Sequence, residues 1–480
     1  MKGSKLITLL EQFSAHDHNR FRRFLESAYI NENQDLVRYF DLLVPILRSK
    51  NDQEVFDSKQ LNKKDVWEKL YSGQKFKDLQ LRRLNSDLTG LAFQFLYYER
   101  LREDPFQQQL QLMDLLNQKK LDKHYRGILR QFENDFEDHP WRNTTFHFLR
   151  YRAEEIQQTF LERPGLPFDD LSSLEQADYH LDCYYYGKKL KNYCDALGYE
   201  SFLSLKANLQ QTDQLLTTVQ KGPYREVPAI KAYLLVAVML LKPDEETHFF
   251  TLQSFLRENA HLFPPKELQT LYTHLNNYCI IKKINAGKGI FFTHLFANYQ
   301  LMLKQGLMLD EGQMAPQDFK NIITVGLQVK AYDWVEQFIQ EYTSQLPAPN
   351  QENALTYNLA KVYFAQKKYG KVIEQLREVA YSTHIYALGG KQILLKTYYE
   401  TDEFLPLDSL IQSFRAYLRR NRVISKDVRE QYLNFLRFLK RLSYIDPYKK
   451  DKLEKIRSDI QQCSAVAQKS WLLEKINEVG

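Results

Sequence analysis

Two consecutive stretches of this chain carry the same pattern of apolar residues at a constant offset of 35 residues, as from Leu359 to Leu394. The first stretch runs from Asn353 to Ala380, and the second from Ala387 to Phe414. Each stretch has the pattern of two amphipathic helices joined by a turn, and one such pair cannot bury both of its apolar stripes alone. The repeat therefore predicts a stack of helical hairpins in which each hairpin covers its neighbour. The matched positions are Leu359, Ala360, Tyr363, Phe364, Tyr369, Val372, Leu376 and Val379 in the first stretch and Leu394, Leu395, Tyr398, Tyr399, Phe404, Leu407, Ile411 and Phe414 in the second.

The first stretch resembles a tetratricopeptide repeat at the run Tyr357-Asn358-Leu359-Ala360, at Tyr363 and at the turn pair Tyr369-Gly370. The second stretch departs from the family pattern at Leu395, where a small residue is expected. The resemblance implies a right-handed α-solenoid of helical hairpins in this part of the chain. A weaker unit precedes the two stretches in residues 317–347, where the residues in register are Ile322, Tyr332, Val335, Ile339 and Pro347.

Tetratricopeptide arrays bind extended peptides or helices in a concave groove lined by the first helix of each repeat, and the resemblance implies the same here. Amide, lysine and tyrosine side chains in such a groove can hold a peptide backbone and an acidic group. The family's clamp for chaperone tails is interrupted at Ile393. An ordinary solvated helix face is the alternative explanation for the same residues. The corresponding groove positions are Lys320, Asn321, Tyr357, Asn358, Lys361, Gln392, Lys396 and Tyr399.

Glycine and proline are scarce, with 17 and 15 in 480 residues, which leaves few turns between long helical segments. No strand pair is indicated, so the predicted fold class is all-α. A chain of this length exceeds one ordinary core. We predict an N-terminal helical domain (1–163), a middle helical segment (168–263), the tetratricopeptide-like array (264–424) and basic C-terminal helices with a cap (425–480). The first boundary is the loop that contains Pro164, Gly165 and Pro167, because proline cannot continue a helix.

The four cysteines are far apart in the sequence and form no C-x-x-C pair. This favours a reducing compartment and argues against a disulfide framework or a structural zinc site. The longest apolar run, Ala232 to Leu241, has ten residues, about half of what a bilayer requires. We therefore expect a cytoplasmic protein with no membrane segment, no metal and no cofactor.

Two features mark the N-terminal domain. The run Ser14-Ala15-His16-Asp17 has the pattern of a capping box and predicts the start of a helix. Residues 66–96 have the outline of a helix-turn-helix element, with Arg82, Arg83 and Asn85 on the side expected to be exposed. No hairpin that would form a wing follows this segment, so a packing unit of a helical domain is the alternative.

The excess of basic residues lies at the C-terminal end. Residues 401–480 contain 16 Lys and Arg against 11 Asp and Glu, whereas the whole chain has a formal net charge of +6. If the helices of this region stack, their basic residues would form one surface suited to nucleic acid or to an acidic partner. The alternative is that these residues occupy ordinary solvent faces and helix C-terminal turns. The candidate surface consists of Arg415, Arg419, Arg437, Lys440 and Arg441.

No catalytic motif occurs in the sequence: there is no H-E-x-x-H, no nucleophile elbow and no glycine-rich phosphate or dinucleotide turn. The favoured function is a non-enzymatic scaffold that binds a protein or peptide partner in the repeat groove. One alternative is a nucleic-acid-associated regulator that uses the 66–96 segment or the basic C-terminal surface. A hydrolase with an unrecognised site is the other alternative. The sequence does not indicate an oligomeric state.

Overall fold

The computed structural model describes residues 3–48, 62–164, 170–200, 207–209, 212–376, 384–421, 423–446, 448 and 450–479. Within these ranges the chain is helical, apart from one short antiparallel pair of strands, Leu309–Asp310 (β1) and Gln313–Met314 (β2). The all-α fold class is therefore confirmed. Of the predicted boundary loop, Gly165 and Pro167 lie outside these ranges, whereas Pro164 lies within them.

The residues group into two compact units, 1–140 with 144–184 and 141–143 with 185–480. The predicted division into four parts stays a prediction. The first unit contains the helices Lys5–Leu10 (α1), Ala15–Leu25 (α2), Gln34–Arg48 (α3), Lys63–Leu70 (α4), Asp78–Arg102 (α5), Pro105–Gln118 (α6), Asp122–Glu137 (α7), Thr144–Leu161 (α8) and the first part of Ser172–Glu200 (α9).

Local chemistry sets the start of α2. The Ser14 hydroxyl accepts a hydrogen bond from the Asp17 backbone N–H at 3.1 Å, and the Asp17 carboxylate accepts one from the Ser14 backbone N–H at 2.9 Å. This reciprocal pair confirms the predicted capping box. The hydrogen bond from the Ser14 side chain also holds the pKa of Asp17 below its ordinary value. The helix then buries Phe21 and Leu25 completely in a core shared by α1 to α5.

A second core of the first unit is formed by α6, α7 and α8. Aromatic rings dominate it: Tyr125 stacks on Phe160 at 4.2 Å between ring centroids, and Phe136 stacks on Phe146 at 4.3 Å. Stacked rings bury large areas of apolar surface, so a few such pairs seal the space between helices. The abundance of aromatic residues in the sequence thus serves helix packing in this region.

The second unit contains the rest of α9 and fourteen further helices of the described ranges. These are Thr212–Lys221 (α10), Pro228–Leu241 (α11), Thr247–Asn259 (α12), Pro265–Asn277 (α13), Phe291–Lys304 (α14), Pro316–Gln328 (α15), Tyr332–Tyr342 (α16), Gln351–Ala365 (α17), Tyr369–Leu376 (α18), His384–Glu400 (α19), Phe404–Arg420 (α20), Lys426–Ser443 (α21), Lys450–Gln462 (α22) and Lys469–Val479 (α23). Proline is the first residue of α11, α13 and α15. Backbone N–H groups in the first turn of a helix have no acceptor within the helix, so the missing N–H of proline costs no hydrogen bond there. Short 3₁₀ turns and one π-helix, Tyr278–Ile284, connect some of these elements.

From α14 to α21 each helix packs against the next helix in the sequence, and α17 also packs against both α15 and α19. Two glycines permit close approach between neighbouring helices. A Cβ atom at Gly389 of α19 would lie 2.6 Å from the ring of Tyr357 on α17. A Cβ atom at Gly326 of α15 would clash with the Val335 side chain on α16. The consecutive packing places the candidate groove residues on the adjacent helices α15, α17 and α19.

The apolar helix α11 is buried along most of its length. Among the described residues, no helix combines the length and apolar character needed to cross a bilayer.

Candidate functional site

The groove residues predicted from the repeat lie on three neighbouring helices, but they differ in accessibility. Lys320 is exposed on α15, and the Asn321 side chain accepts a hydrogen bond from Gln317 of the same helix at 2.8 Å. Gln392 of α19 is half-buried. These three side chains are polar groups at or near the surface.

Asn358 is occupied within its own helix. Its side chain is 4% exposed and donates a hydrogen bond to the Ala354 backbone carbonyl at 2.8 Å. A buried amide that bonds the preceding turn offers little surface to a partner. We therefore leave Asn358 out of the candidate surface, although the repeat pattern placed it there.

Tyr357 is a half-buried residue that packs between helices. Its ring lies against Gly389, and it makes an edge-to-face contact with Tyr386 at 5.5 Å between ring centroids. Burial raises the pKa of the Tyr357 phenol to about 12, so this group stays neutral at physiological pH. A neutral phenol can donate one hydrogen bond and accept others.

Lys361 has the most unusual environment of the set. Its side chain is half-buried, and Nζ lies 5.7 Å from the centroid of the Tyr357 ring one helical turn earlier. Burial and, secondly, the positive charge of Lys320 lower the pKa of Lys361 to about 8. Within the described parts of the chain, Lys361 has no hydrogen-bond or ion-pair partner. Its ammonium is thus partly desolvated, with no counter-ion among the described residues. We refer to Lys320, Asn321, Tyr357 and Lys361 as the lysine surface.

The other end of the predicted groove is covered by the C-terminal helix of the same chain. Lys396 Nζ lies 4.5 Å from the Phe364 ring centroid and 5.0 Å from that of Trp471 on α23. Tyr399 also contacts the Trp471 ring edge-to-face at 5.5 Å. Burial lowers the pKa of Lys396 to about 8. Lys396 and Tyr399 therefore face Trp471 rather than an open groove.

A buried ion pair anchors this helix. Lys475 Nζ lies 2.8 Å from the Glu400 carboxylate, and the Trp471 indole N–H donates to the same carboxylate at 3.2 Å. Trp471, Leu472 and Ile476 of this helix are buried. The repeat pattern gave no sign that Glu400 would receive them, since Glu400 and Lys475 are 75 residues apart.

Acidic side chains neutralise part of the basic C-terminal surface. Lys440 lies 3.4 Å from Asp408 on α20, and Arg441 lies 2.7 Å from Asp459 on α22. Arg437 is exposed, with its guanidinium 4.6 Å from the ring centroid of Phe438. The remaining members are Arg415, which is half-buried, and Arg419, which is exposed. The five residues thus present a smaller excess of charge than the sequence alone implies.

In the 66–96 segment, one of the three residues that were expected to be exposed makes contacts within the protein. Asn85 accepts a hydrogen bond from the Tyr39 hydroxyl at 3.0 Å and donates one to the Leu81 carbonyl at 2.9 Å. This contradicts its expected exposure, because the long-range partner Tyr39 is invisible to a local pattern. Arg82 is paired with Asp78 at 2.7 Å, and Arg83 is exposed. The helix continues without interruption to Arg102.

The described residues contain no group of three or more His, Cys, Asp and Glu side chains arranged to hold a metal ion. His274 Nε2 lies 3.2 Å from the Asp195 carboxylate.

Comparison of the chain with protein-family models, with curated proteins and with solved structures gives no significant match.

Proposed function

We propose that this protein is a non-enzymatic scaffold that binds an acidic peptide or helix of a protein partner on the lysine surface. In this proposal residues 264–424 form a right-handed, tetratricopeptide-like array of helical hairpins that follows an N-terminal helical domain. The packing of each helix from α15 to α20 on its successor supports such an array, as does the contact of α17 with both α15 and α19. The first helices of consecutive hairpins would then line one face.

The observation that carries the proposal is the environment of Lys361. Removing an ammonium group from water is unfavourable unless another charge or a set of acceptors compensates. The lowered pKa of Lys361 reflects this uncompensated loss of hydration, and the positive charge of Lys320 lowers the pKa further. A carboxylate of a partner would compensate for the lost hydration by pairing with both lysines. An acidic peptide is therefore the ligand that this surface fits best.

The covered end of the groove limits the size of the binding surface. Because Trp471 lies over Lys396, a peptide of the partner would contact α15 and α17 and stop short of Tyr399. The proposal thus concerns a short acidic motif rather than a ligand that extends along all three hairpins.

The state of the cysteines supports a cytoplasmic location. Cys183, Cys194 and Cys279 are buried free thiols, and Cys463 is half-buried and also free. Burial raises the pKa of Cys183 to about 11 and that of Cys279 to about 12, which keeps both as unreactive thiols. Free thiols that are protected by burial suit a reducing compartment.

Two measurements on the 480-residue chain test the proposal. Binding peptides are first selected from a displayed library, and the affinity of a labelled selected peptide is then measured by fluorescence anisotropy. We expect selected peptides to carry Glu or Asp, and we expect Lys361→Met to weaken their binding at least tenfold, since a charge-assisted contact contributes about 1.5–3 kcal/mol. Lys320→Ala should weaken binding less, because Lys320 is exposed.

Lys304→Ala is the matched control, since Lys304 is an exposed lysine at the end of α14. Replacing the acidic residues of the peptide by Gln or Asn should reproduce the loss seen with Lys361→Met. Equal affinity of the wild type and the Lys361 variant would remove the lysine surface from consideration. Purification of the tagged protein with and without nuclease then shows whether its association with partners depends on nucleic acid.

A further inference from the structure

A cleft of about 520 Å³ lies in the first unit, between α2 with its following turn and the last part of α5. Its volume is within the range of small-molecule sites. On α5 the lining residues are Phe95, Tyr98, Glu99 and Arg102. Separations of three and four positions place these four side chains on one face of the helix. The cleft is therefore a single concave site between two facing helix surfaces.

Three aromatic rings form the apolar part of the cleft. Phe24 of α2 is half-buried, and its ring centroid lies 5.8 Å from that of Phe95 and 5.7 Å from that of Tyr98. Phe95 is buried behind the other two, whereas Tyr98 is 44% exposed. The rings of Phe24 and Tyr98 are tilted by 53° relative to each other. A flat group in the cleft can thus stack on one ring and meet the edge of the other.

The charged side chains of the lining are three arginines and one glutamate. Arg20 of α2 lies 2.5 Å from Glu99 of α5, and both side chains are less than one-third exposed. Arg102 lies farther from Glu99, at 3.7 Å, and is 69% exposed. Arg23 is exposed and has no ion-pair partner among the residues that the structure describes. Arg20 and Glu99 therefore neutralise each other, and two guanidinium groups remain for an anion that carries two charges.

Hydroxyl groups complete the lining. Ser27 is half-buried, and Tyr29 is 94% exposed at the rim of the cleft. Together with the phenol of Tyr98, they can donate and accept hydrogen bonds. The cleft thus offers polar partners beside its aromatic rings, which favours a flat ring with heteroatoms at its edge over a plain hydrocarbon ring.

We propose that this cleft binds a nucleoside monophosphate, with the base on Phe24 and Tyr98 and the phosphate paired with Arg23 and Arg102. A phosphate monoester carries a charge of about −1.5 to −2 at pH 7, which matches the two available guanidinium groups. The planar fork of arginine fits phosphate oxygens. The pair of Arg20 and Glu99 joins the two walls of the site. This site is independent of the lysine surface, which lies in the second unit.

Isothermal titration calorimetry of the 480-residue chain with adenosine monophosphate tests the proposal. Adenosine lacks the phosphate and ribose 5-phosphate lacks the base, so each should bind at least tenfold more weakly than the nucleotide. The second pKa of a phosphate monoester is about 6. The nucleotide should therefore bind several-fold more weakly at about pH 5, where it is mostly a monoanion, than at about pH 7.5.

Substitutions in the lining test the assignment of each group. Arg23→Gln and Arg102→Gln should each weaken binding of the nucleotide at least tenfold through loss of a charge-assisted contact. Tyr98→Ala should weaken it roughly tenfold through loss of stacking. Arg100→Gln and Phe93→Ala are the matched controls, since these residues of α5 are exposed and do not line the cleft. Both controls should bind as the wild type does.

Circular dichroism establishes that the variants are folded, and Arg23→Gln removes no ion pair among the described residues. The proposal fails if no binding is detected at about 1 mM nucleotide, or if adenosine binds as well as the nucleotide. It also fails if Arg100→Gln weakens binding as much as Arg23→Gln. Equal affinity for phenyl phosphate would overturn the choice of a nucleotide, because a phenyl ring with a phosphate, as in a phosphorylated tyrosine side chain, would then be sufficient.

Discussion

Replacement of Lys361 by methionine should stabilise the folded protein at neutral pH while it weakens the binding of acidic peptides. Methionine keeps the length of the side chain and removes the half-buried charge. An unfolded lysine keeps its proton up to about pH 10.4. In the folded protein the pKa of Lys361 is about 8, so the folded state loses this proton earlier. Between these values the unfolded state binds more protons, and the stability of the wild type therefore rises with pH.

The size of the effect follows from the difference between the two pKa values. At pH 7 the ammonium disfavours the folded state by at most about 3 kcal/mol, at 1.36 kcal/mol per pKa unit. At pH 9.5 most of the folded molecules have lost the proton, and the penalty falls to about 1.3 kcal/mol. The gain in stability from Lys361→Met should therefore be roughly 2 kcal/mol smaller at pH 9.5 than at pH 7.

Hydrogen exchange of peptides from α17 in increasing urea measures this gain, because it follows the opening of one helix instead of the whole two-unit chain. Lys304→Met is the matched control, and its stability should stay within about 0.5 kcal/mol of the wild type at both pH values, as for other exposed sites. Equal protection of wild type and Lys361→Met at pH 7 would refute the reasoning, and so would a gain that does not decrease at pH 9.5.

Three further changes test the packing. Gly389→Ala should destabilise the second unit by about 1–3 kcal/mol, because the new methyl group would meet the Tyr357 ring, and adding Tyr357→Leu should recover part of this loss in a double-mutant cycle of urea unfolding. Trp471→Ala should expose Lys396 and raise its pKa above the value of about 8 that it has in the wild type, as measured by competitive acetylation and mass spectrometry. An unchanged pKa would show that Trp471 does not bury Lys396. Ser14→Ala should cost about 1 kcal/mol, seen as faster hydrogen exchange at the start of α2, whereas Ser14→Gly should cost less.

Much of the helical framework could be predicted from the sequence because helix formation depends on residues within a few turns of each other. The capping box at Ser14 and Asp17 is such a local pattern, and it is present as predicted. The offset of 35 residues likewise located the helices α17 to α20. The repeat arrangement inferred from that offset stays a prediction.

Local patterns were insufficient for side chains whose partners are distant in the sequence. Asn85 was expected at the surface, but it bonds Tyr39, a residue 46 positions away. The sequence predicted Arg441 as part of a basic surface, but the packing of α21 on α22 places its guanidinium 2.7 Å from the Asp459 carboxylate. A periodic pattern predicts which face of a helix is buried, but it does not predict which side chains pack against that face.

The sequence alone determined that the chain is helical, where α2 begins, and which helices carry the lysines of the candidate groove. Only the tertiary structure decided which of these lysines remain accessible. Trp471 covers Lys396, whereas Lys361 keeps a partly desolvated ammonium with no counter-ion among the described residues. The physical reason is that desolvation and charge pairing depend on the three-dimensional surroundings of a group. In this chain those surroundings include residues that are distant in the sequence, such as Glu400 and Trp471, which are 71 positions apart.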